Sequence, residues 1–263
     1  MSKGYVHSLE VGSFVDGPGT RFVVFLAGCP LRCLYCHNPD ACRISGDPTD
    51  SDEIVAKIAR TAGFLSAGGG GVTVSGGEPL AQAAFALDIL RGARALGLHT
   101  ALDTSGFLGD RVTDEMLDSL DLVLLDIKSF DPGTYREVTG VDVEPTLHLA
   151  QRLSDACKPM WIRFVLVPGL TDDPTNIAGL ARFVAGLSSV ERVEIVPFHQ
   201  MGRHKWEELG LPYRLSDTKP PTADEIRRVK ELFEAEGVIV GDGLFAPCAP
   251  KTKPREENHH EHP

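Results

Sequence analysis

Short apolar runs alternate with longer amphipathic stretches along most of this chain of 263 residues. The runs are rich in Val, Ile, Leu and Phe and predict strands, whereas the stretches place apolar residues at helical spacing. Strands are predicted over 21–27, 72–74, 99–103, 122–127, 160–167 and 192–196, with a further short strand over 238–240. The first helix is predicted to begin near residue 50. Further helices are predicted over 80–96, 113–120, 145–156, 175–187 and 223–236.

The repeated strand–helix unit predicts an α/β fold with a parallel sheet and helices outside it. The predicted strands are continuously apolar, as expected for parallel strands that are buried on both faces. Six units are too few for a closed eight-fold barrel of about 250 residues, so the sequence predicts a partial (β/α)6 barrel. We expect residues 1–244 to form this domain, and the tail 245–263, rich in Pro, Lys, Glu and His, to be disordered.

The charge balance narrows the classes of partner. Acidic residues outnumber basic ones by 37 to 26, which gives a net charge of −11 and disfavours a nucleic acid or an anionic membrane as the main partner. No apolar run reaches the roughly 18 residues of a membrane helix, and the first residues lack the apolar segment of a secretion signal. We therefore expect a cytoplasmic protein.

Three of the six cysteines lie in one short segment after the first predicted strand. Cys29, Cys33 and Cys36 have the spacing C-x3-C-x2-C, which in a reducing compartment indicates metal binding rather than disulfides. A structural zinc site would need a fourth ligand; His37 adjoins Cys36 awkwardly, and Cys42 is a candidate that the spacing leaves open. Three thiolates suit a four-iron cluster in which one iron is free to take a ligand.

The other candidate residues lie where predicted strands end. They are Gly76, Gly77 and Glu78 after the second strand, Asp103 and Thr104 at the third, Asp126 and Lys128 at the fourth, and His199 after the sixth. In a parallel barrel these positions meet at one mouth, which is where barrel enzymes carry out chemistry. Glycines there allow a ligand to approach the backbone closely. The sequence therefore predicts a single site beside the cysteines.

Two carboxylates of this set raise an electrostatic question. Asp103 and Asp126 end adjacent predicted strands, which lie about 4.8 Å apart. Carboxylates so close repel, so that one must take a proton or a cation must lie between them. Arg163 faces the same mouth if its strand alternates normally, and it would either bind substrate or pair with a carboxylate. Asp16 is a weaker candidate for substrate contact.

The ordered motifs of the chain resemble a known family. The cysteine spacing, with an aromatic residue before the last cysteine, is similar to that of the radical S-adenosylmethionine (SAM) superfamily. Further segments narrow the resemblance to the pyruvate formate-lyase activating enzymes over about residues 4–240. They are DGPGTR at 16–21, YCHN at 35–38, SGGE at 75–78, LDT at 102–104, LDIK at 125–128, WIR at 161–163, VPG at 167–169 and HKW at 204–206.

The resemblance implies the cofactors and their ligands. A 4Fe–4S cluster would be held by Cys29, Cys33 and Cys36, which are the expected catalytic residues, and SAM would bind at its open iron. The resemblance implies that the residues contacting SAM are Tyr35, Cys36, His37, Gly77, Asp126, Ile127, Lys128 and His199. It also implies a monovalent cation, whose ligands would be Asp103, Thr104, Asp126 and the backbone of Leu124.

The resemblance also implies an activity and its partners. Electron transfer to SAM would give a 5′-deoxyadenosyl radical, which would take a hydrogen atom from a glycine Cα of pyruvate formate-lyase. A flavodoxin or a ferredoxin would donate the electron, and the enzyme is expected to be a monomer. This sequence has no glycyl-radical segment of the type Arg-Val-x-Gly-Tyr, so the glycine must belong to another chain.

Two other functions remain open at this point. One is a different radical SAM enzyme, either an activase for another glycyl-radical protein or an enzyme acting on a small molecule. Many other activases insert a cysteine-rich module after the first motif, whereas here Cys42 is the only cysteine between Cys36 and Gly76. The other is a non-catalytic iron–sulfur carrier or sensor, which would leave Gly77 and Lys128 without a role.

Overall fold

A computed structural model describes residues 2–241 of the chain. The predicted tail 245–263, with Cys248, lies outside the described residues, as do residue 1 and residues 242–244 of the predicted domain. The boundary at residue 244 therefore stays a prediction. None of the described helices is long and apolar enough to cross a bilayer.

Within residues 2–241, seven strands form one open sheet in the order β2-β3-β5-β6-β7-β8-β9. They are β2 (Val6–Ser13), β3 (Arg21–Leu26), β5 (Gly71–Gly76), β6 (His99–Thr104), β7 (Leu122–Asp126), β8 (Met160–Leu166) and β9 (Val190–Pro197). From β3 to β9 every neighbouring pair is parallel. These six strands are the six predicted ones, so the predicted partial barrel is confirmed.

Three strands were not predicted as such. β2 pairs antiparallel with β3 at the edge of the sheet, and β1 (Lys3–Gly4) pairs with β4 (Thr49–Asp50) in a separate two-stranded sheet. β2 is mostly half-buried or exposed, so its side chains lack the apolar run that marks the inner strands. The strand predicted over 238–240 is reduced to a single bridge between Val193 and Val240.

Helices cover the outer face of the sheet. They are α1 (Ser51–Ala67), α2 (Ala83–Ala95), α3 (Asp114–Asp118), α4 (Pro132–Thr139), α5 (Glu144–Asp155), α6 (Pro174–Ala185), α7 (Arg203–Glu208) and α8 (Ala223–Ala235). Helix α8 begins with a capping box between Thr222 and Glu225, which satisfies free backbone donors of its first turn. The short helices α4 and α7 were not predicted, because so few turns give little periodic signal.

The two faces of the sheet have different chemistry. Residues such as Val24, Leu102 and Phe164 point outward and pack with the helices into one large apolar core. The alternate positions point into the space enclosed by the curved sheet, here called the lumen, and several are polar or charged. The expectation of continuously apolar strands was therefore wrong for the lumen face, because side chains alternate between the faces along a strand.

Buried cations and aromatic rings lie toward the amino ends of the parallel strands. The Arg21 side chain is fully buried and donates hydrogen bonds to Thr73 Oγ1 at 3.0 Å and to the Val72 carbonyl at 2.5 Å. The Arg192 guanidinium lies 3.4 Å from the centre of the Trp161 ring. These contacts fill this end of the lumen, which leaves the carboxyl ends of the strands for a site.

Candidate active site

The cysteine loop, residues 28–38, begins directly after β3. Gly28 has a φ of +93°, a region that favours glycine, and this turn directs the chain across the mouth of the barrel. The loop is held by backbone hydrogen bonds from Gly28 N to Ala41 O at 2.7 Å and from Leu34 N to Val138 O at 3.0 Å. Cys29, Cys33 and Cys36 are free and half-buried in this frame.

The thiols of this loop have unusual acidities. Burial raises the pKa of Cys33 to about 11. The pKa values of Cys29 and Cys36 are raised by hydrogen bonds to Cys42 and by burial, and the same hydrogen bonds lower the pKa of Cys42 to about 3. The three thiols whose pKa is raised, those of Cys29, Cys33 and Cys36, become thiolates readily beside a strong positive charge, which a metal centre supplies.

The donor set fits an iron–sulfur cluster better than one zinc ion. Within residues 2–241 no three His, Cys, Asp or Glu side chains converge on a single ion, as a structural zinc site requires. A four-iron cluster takes each thiolate at a separate iron. The alternatives with His37 or Cys42 completing a zinc site are disfavoured for that reason.

A cleft of about 980 Å³, including its open mouth, adjoins the cysteine loop. It is lined by the three cysteines and by strand ends predicted from the sequence, among them Gly77, Asp103, Thr104, Asp126 and Lys128. Tyr35 and Phe198 add aromatic walls. This mixture of apolar walls with a few polar groups is typical of a site for a small-molecule cofactor.

The Tyr35 hydroxyl is a free polar group in the wall of this cleft. Its oxygen is buried and has no hydrogen-bond partner among the described residues. Burial raises the pKa of Tyr35 well above its usual value, so the group keeps its proton. A buried donor without a partner is costly, and a ligand in the cleft would supply that partner.

The glycine pair after β5 fits a backbone that passes close to its neighbours. A Cβ at Gly77 would lie 2.5 Å from Gly28 O and 3.0 Å from Ala41 O, so only glycine fits there. Gly77 N donates to Leu26 O at 2.8 Å, which places this turn against the start of the cysteine loop. The close approach seen at Gly77 is therefore to the cysteine loop, and the approach of a ligand to this backbone stays a prediction.

Glu78 has a structural role that the sequence did not reveal. Its fully buried carboxylate accepts hydrogen bonds from Thr104 Oγ1 at 2.7 Å, from Ser105 N at 2.9 Å and from Ser105 Oγ at 2.5 Å. It also accepts from Leu80 N at 3.0 Å. Glu78 therefore ties the end of β6 to the glycine turn, and it fixes two walls of the cleft relative to each other.

Asp103 is paired with an arginine in the lumen below the cleft. Arg163 donates to Asp103 Oδ1 at 3.2 Å, to Glu194 Oε2 at 3.3 Å and to the Val15 carbonyl at 2.6 Å. Burial raises the pKa of Asp103 to about 6, against the opposing influence of Arg163. Of the two roles left open for Arg163, the structure shows the pairing with carboxylates.

Asp126 is also paired with a cation of the chain. Lys128 Nζ lies 2.5 Å from Asp126 Oδ2, and although burial alone would lower the pKa of Lys128, the Asp126 carboxylate raises it well above its usual value. The repulsion between Asp103 and Asp126 is therefore already reduced by Arg163 and Lys128. The monovalent cation is not required by that repulsion, and it stays a prediction.

The remaining predicted site residues differ in whether they line the cleft. The His37 and His199 rings are in contact, with centroids 4.3 Å apart and their planes tilted by 34°, and of the two only His37 lines the cleft. Ile127 and Leu124 are fully buried and do not line the cleft. The Asp16 carbonyl accepts a hydrogen bond from Thr73 in the lumen at 2.6 Å, so Asp16 lies below the cleft rather than in it.

Helix α7 clamps the cysteine loop from outside. Trp206 Nε1 donates to the Cys36 carbonyl at 2.8 Å, and Lys205 Nζ donates to Asn38 Oδ1 at 2.8 Å. A Cβ at Gly202 would lie 2.6 Å from the His37 Cα. The motif HKW thus positions the loop rather than the cofactor. Predicting this role would have required knowing that this distant segment packs on the cysteine loop.

The sequence and structure are similar to those of known proteins. The chain matches the Radical SAM superfamily over residues 23–181. It is 43% identical over 247 residues, or 91% of this chain and 98% of the relative, to a pyruvate formate-lyase-activating enzyme of Staphylococcus epidermidis. It is 40% identical over 237 residues, or 89% of this chain and 96% of the relative, to the pyruvate formate-lyase 1-activating enzyme of Escherichia coli K12.

Solved structures give the same picture of the fold. A domain of pyruvate-formate lyase-activating enzyme from Bacteroides vulgatus superposes with a TM-score of 0.55 at 28% identity, covering 65% of this chain and 98% of that one. SuiB of Streptococcus suis, bound to S-adenosylmethionine, superposes with a TM-score of 0.59 at 18% identity, covering 78% of this chain and 44% of that one. The second likeness concerns the fold alone.

Proposed function

The chain belongs to the pyruvate formate-lyase-activating enzyme family of the radical SAM superfamily, and we propose that it installs a glycyl radical on pyruvate formate-lyase. The observation that carries the proposal is the cleft, in which three free thiols of one loop face the carboxyl ends of the parallel strands. The chemistry supplied there by a 4Fe–4S cluster with SAM is one-electron cleavage to methionine and a 5′-deoxyadenosyl radical, which abstracts hydrogen from a glycine Cα.

The chain's own residues bind and orient the reactants. Cys29, Cys33 and Cys36 hold the cluster, and the half-buried loop is kept in place by Trp206. The unpartnered Tyr35 hydroxyl and the ion pair of Asp126 with Lys128 supply polar contacts for SAM. The apolar side chains of Leu31, Val165 and Phe198 in the cleft wall exclude water, which protects a reactive intermediate.

Further parts of the proposal concern residues below the cleft and the partners. Asp16 and Arg163, which lie in the lumen, are proposed to contact the segment of pyruvate formate-lyase that carries the glycine. Asp103, Thr104, Asp126 and the Leu124 backbone are proposed to hold a monovalent cation, and His37, His199, Gly77 and Ile127 to border SAM. The enzyme is proposed to act as a cytoplasmic monomer that receives its electron from a flavodoxin or a ferredoxin.

The test uses the reconstituted protein with SAM, a reductant and purified pyruvate formate-lyase. We expect 5′-deoxyadenosine together with a glycyl radical signal in electron paramagnetic resonance (EPR), and neither product with Cys33→Ser. Cleavage of SAM without a glycyl signal would indicate another partner for the same chemistry. A full cluster that leaves SAM intact would contradict the proposal and support an iron–sulfur carrier.

A further inference from the structure

Asn38 is the last residue of the cysteine loop, and its side chain has no part in the proposed function. It directly precedes the 3-10 helix Pro39–Cys42. An asparagine in this position commonly caps the helix, because its side-chain oxygen accepts a hydrogen bond from the first turn. The Asn38 side chain makes no capping hydrogen bond, although its backbone carbonyl accepts from Ala41 N at 3.0 Å. The helix therefore does not explain the asparagine.

A lysine of helix α7 fixes the orientation of the Asn38 amide. Lys205 Nζ donates to Asn38 Oδ1 at 2.8 Å and to Asp40 Oδ1 at 3.2 Å. Asp40 is held in turn by His7, whose Nε2 lies 2.7 Å from Asp40 Oδ2. An ammonium group has only donors, so the amide must present its oxygen to Lys205. The amide nitrogen therefore points away from this ion pair.

The amide nitrogen of Asn38 is available to a ligand. Among residues 2–241, Oδ1 is the only side-chain atom of Asn38 with a hydrogen-bond partner. The residue is half-buried and lines the cleft. An amide nitrogen carries two N–H groups and accepts nothing. Asn38 can therefore recognise a hydrogen-bond acceptor in the cleft, and it cannot serve a donor there, because its oxygen is occupied.

The part of the cleft next to Asn38 suits a flat base. The preceding residue, His37, reaches the end of β9, where its Nε2 lies 3.2 Å from the His199 carbonyl oxygen. Three apolar residues line the cleft at this strand end, Val196, Pro197 and Phe198. The charged end of β7 lies two strands away in the sheet. A purine has apolar faces and ring nitrogens that accept hydrogen bonds, which fits apolar walls with one placed donor.

We propose that Asn38 is a specificity-determining residue, whose amide nitrogen donates a hydrogen bond to a ring nitrogen of the adenine of SAM, and that Lys205 is the positioning residue that orients the amide. This inference rests on the proposed function, because it assumes SAM in the cleft. Its consequence is that Asn38 distinguishes a ring nitrogen from a C–H group of the same shape, since only the nitrogen accepts the hydrogen bond.

The experiment measures the binding of SAM by calorimetry to the reconstituted protein, whose cluster is left oxidised so that SAM is not cleaved. Three analogues carry C–H in place of adenine N1, N3 or N7. Asn38→Ala removes the whole amide, whereas Asn38→Asp keeps an oxygen for Lys205 and removes the donor. Lys205→Met keeps the amide without its anchor, and Lys219→Met, at an exposed lysine outside the cleft lining, is its matched control. Iron and sulfide are counted in every protein.

We expect one of the three analogues to bind wild type about fivefold more weakly than SAM does, as for loss of one hydrogen bond. In Asn38→Ala and Asn38→Asp, SAM itself should bind about fivefold more weakly, and the same analogue should bind as well as SAM. Lys205→Met should weaken SAM binding by a smaller factor, because the amide is kept but no longer oriented. Lys219→Met should bind SAM as wild type does.

Three results would overturn the proposal. They are wild-type affinity for all three analogues, an analogue penalty that persists in the Asn38 variants, and unchanged SAM affinity in those variants. If Asn38→Ala loses its cluster, Asn38→Asp decides alone, and loss of the cluster in both would make Asn38 a structural residue of the loop and would also overturn the proposal. A wild-type protein that carries the cluster but binds no SAM would instead contradict the proposed function.

Discussion

The two faces of the central sheet are built from the same strands but obey different physical rules. On the outer face, side chains such as Phe164 are completely buried under helices, and their contribution to stability follows the apolar area removed from water. On the lumen face, the neighbouring Arg163 is buried only because carboxylates and a carbonyl receive its hydrogen bonds. Stability on the outer face thus depends on the shape and volume of apolar side chains, whereas stability on the lumen face depends on specific polar partners.

This difference explains where chemistry is located. A charged group in the lumen is held in one place by its partners, and it stays available at the carboxyl ends of the strands. The outer face is instead packed with apolar side chains under the helices. The cysteine loop and the ends of β5, β6 and β7 therefore meet on the polar side of the sheet, and each of the following changes tests one face against the other.

The largest effect is expected at the cysteine loop. Cys33→Ser should abolish the visible absorption of the cluster and all formation of 5′-deoxyadenosine, because three thiolates are needed to hold four irons. The fold should persist, since the outer core is untouched. Cys157→Ser is the control and should keep both signals. An active Cys33→Ser protein with a full cluster would contradict the assignment of the ligands.

Adjacent residues of β8 compare the two faces directly. Phe164→Ala should lower the free energy of unfolding by about 3–5 kcal/mol, since it leaves a cavity under the helices. Arg163→Met should cost about 3–5 kcal/mol for a different reason, because it leaves buried carboxylates without their cation. Urea denaturation monitored by circular dichroism measures both values.

A second substitution separates the two mechanisms. Adding Asp103→Asn to Arg163→Met removes one of the unpaired charges and should restore part of the lost stability, as a double-mutant cycle detects. Adding Asp103→Asn to Phe164→Ala should produce no such recovery. If both double variants behaved additively, the distinction between the faces would fail.

Asp126 tests the polar wall of the cleft. Asp126→Ala should weaken SAM binding about tenfold, as for loss of a charged hydrogen-bonding group, while the cluster stays assembled. If a monovalent cation binds there, wild-type affinity should also be higher in potassium than in choline at equal ionic strength. Titration with SAM measures both effects. Equal affinities in the two salts would contradict the cation site without affecting the role of Asp126.

The smallest effect is expected at the closed end of the lumen. Burial and the charge of Arg21 lower the pKa of His99 from 6.5 to about 4, and Arg21 Nη1 lies 3.2 Å from His99 Nδ1. The unfolded chain therefore binds a proton more readily, and this contribution to stability is lost as the pH falls from about 6.5 toward 4. The unfolding midpoint of His99→Gln should depend less on pH over this range, and identical profiles would contradict the shift.

Much of the site was predictable because strand direction is a local property. Once Leu122–Asp126 and its parallel neighbours are recognised as strands, their carboxyl ends must share one edge of the sheet. The cysteine loop, Gly77, Asp103 and Lys128 were placed at the cleft in this way. The helices α4 and α7 and the edge strand β2 escaped prediction, since short or half-exposed elements carry little periodicity.

The alternation of apolar residues along the chain was enough to predict the partial barrel and its mouth, because these depend on local periodicity and on the direction of parallel strands. The spacing of Cys29, Cys33 and Cys36 predicted the cluster ligands. The partners of each polar group depend instead on which distant segments pack together. The pairing of Arg163 with Asp103 and Glu194, the clamp formed by Glu78 and the contact of Cys42 with Cys29 arise from such packing. Spacing along the chain does not predict these contacts, because they are created by burial and by the register across the sheet.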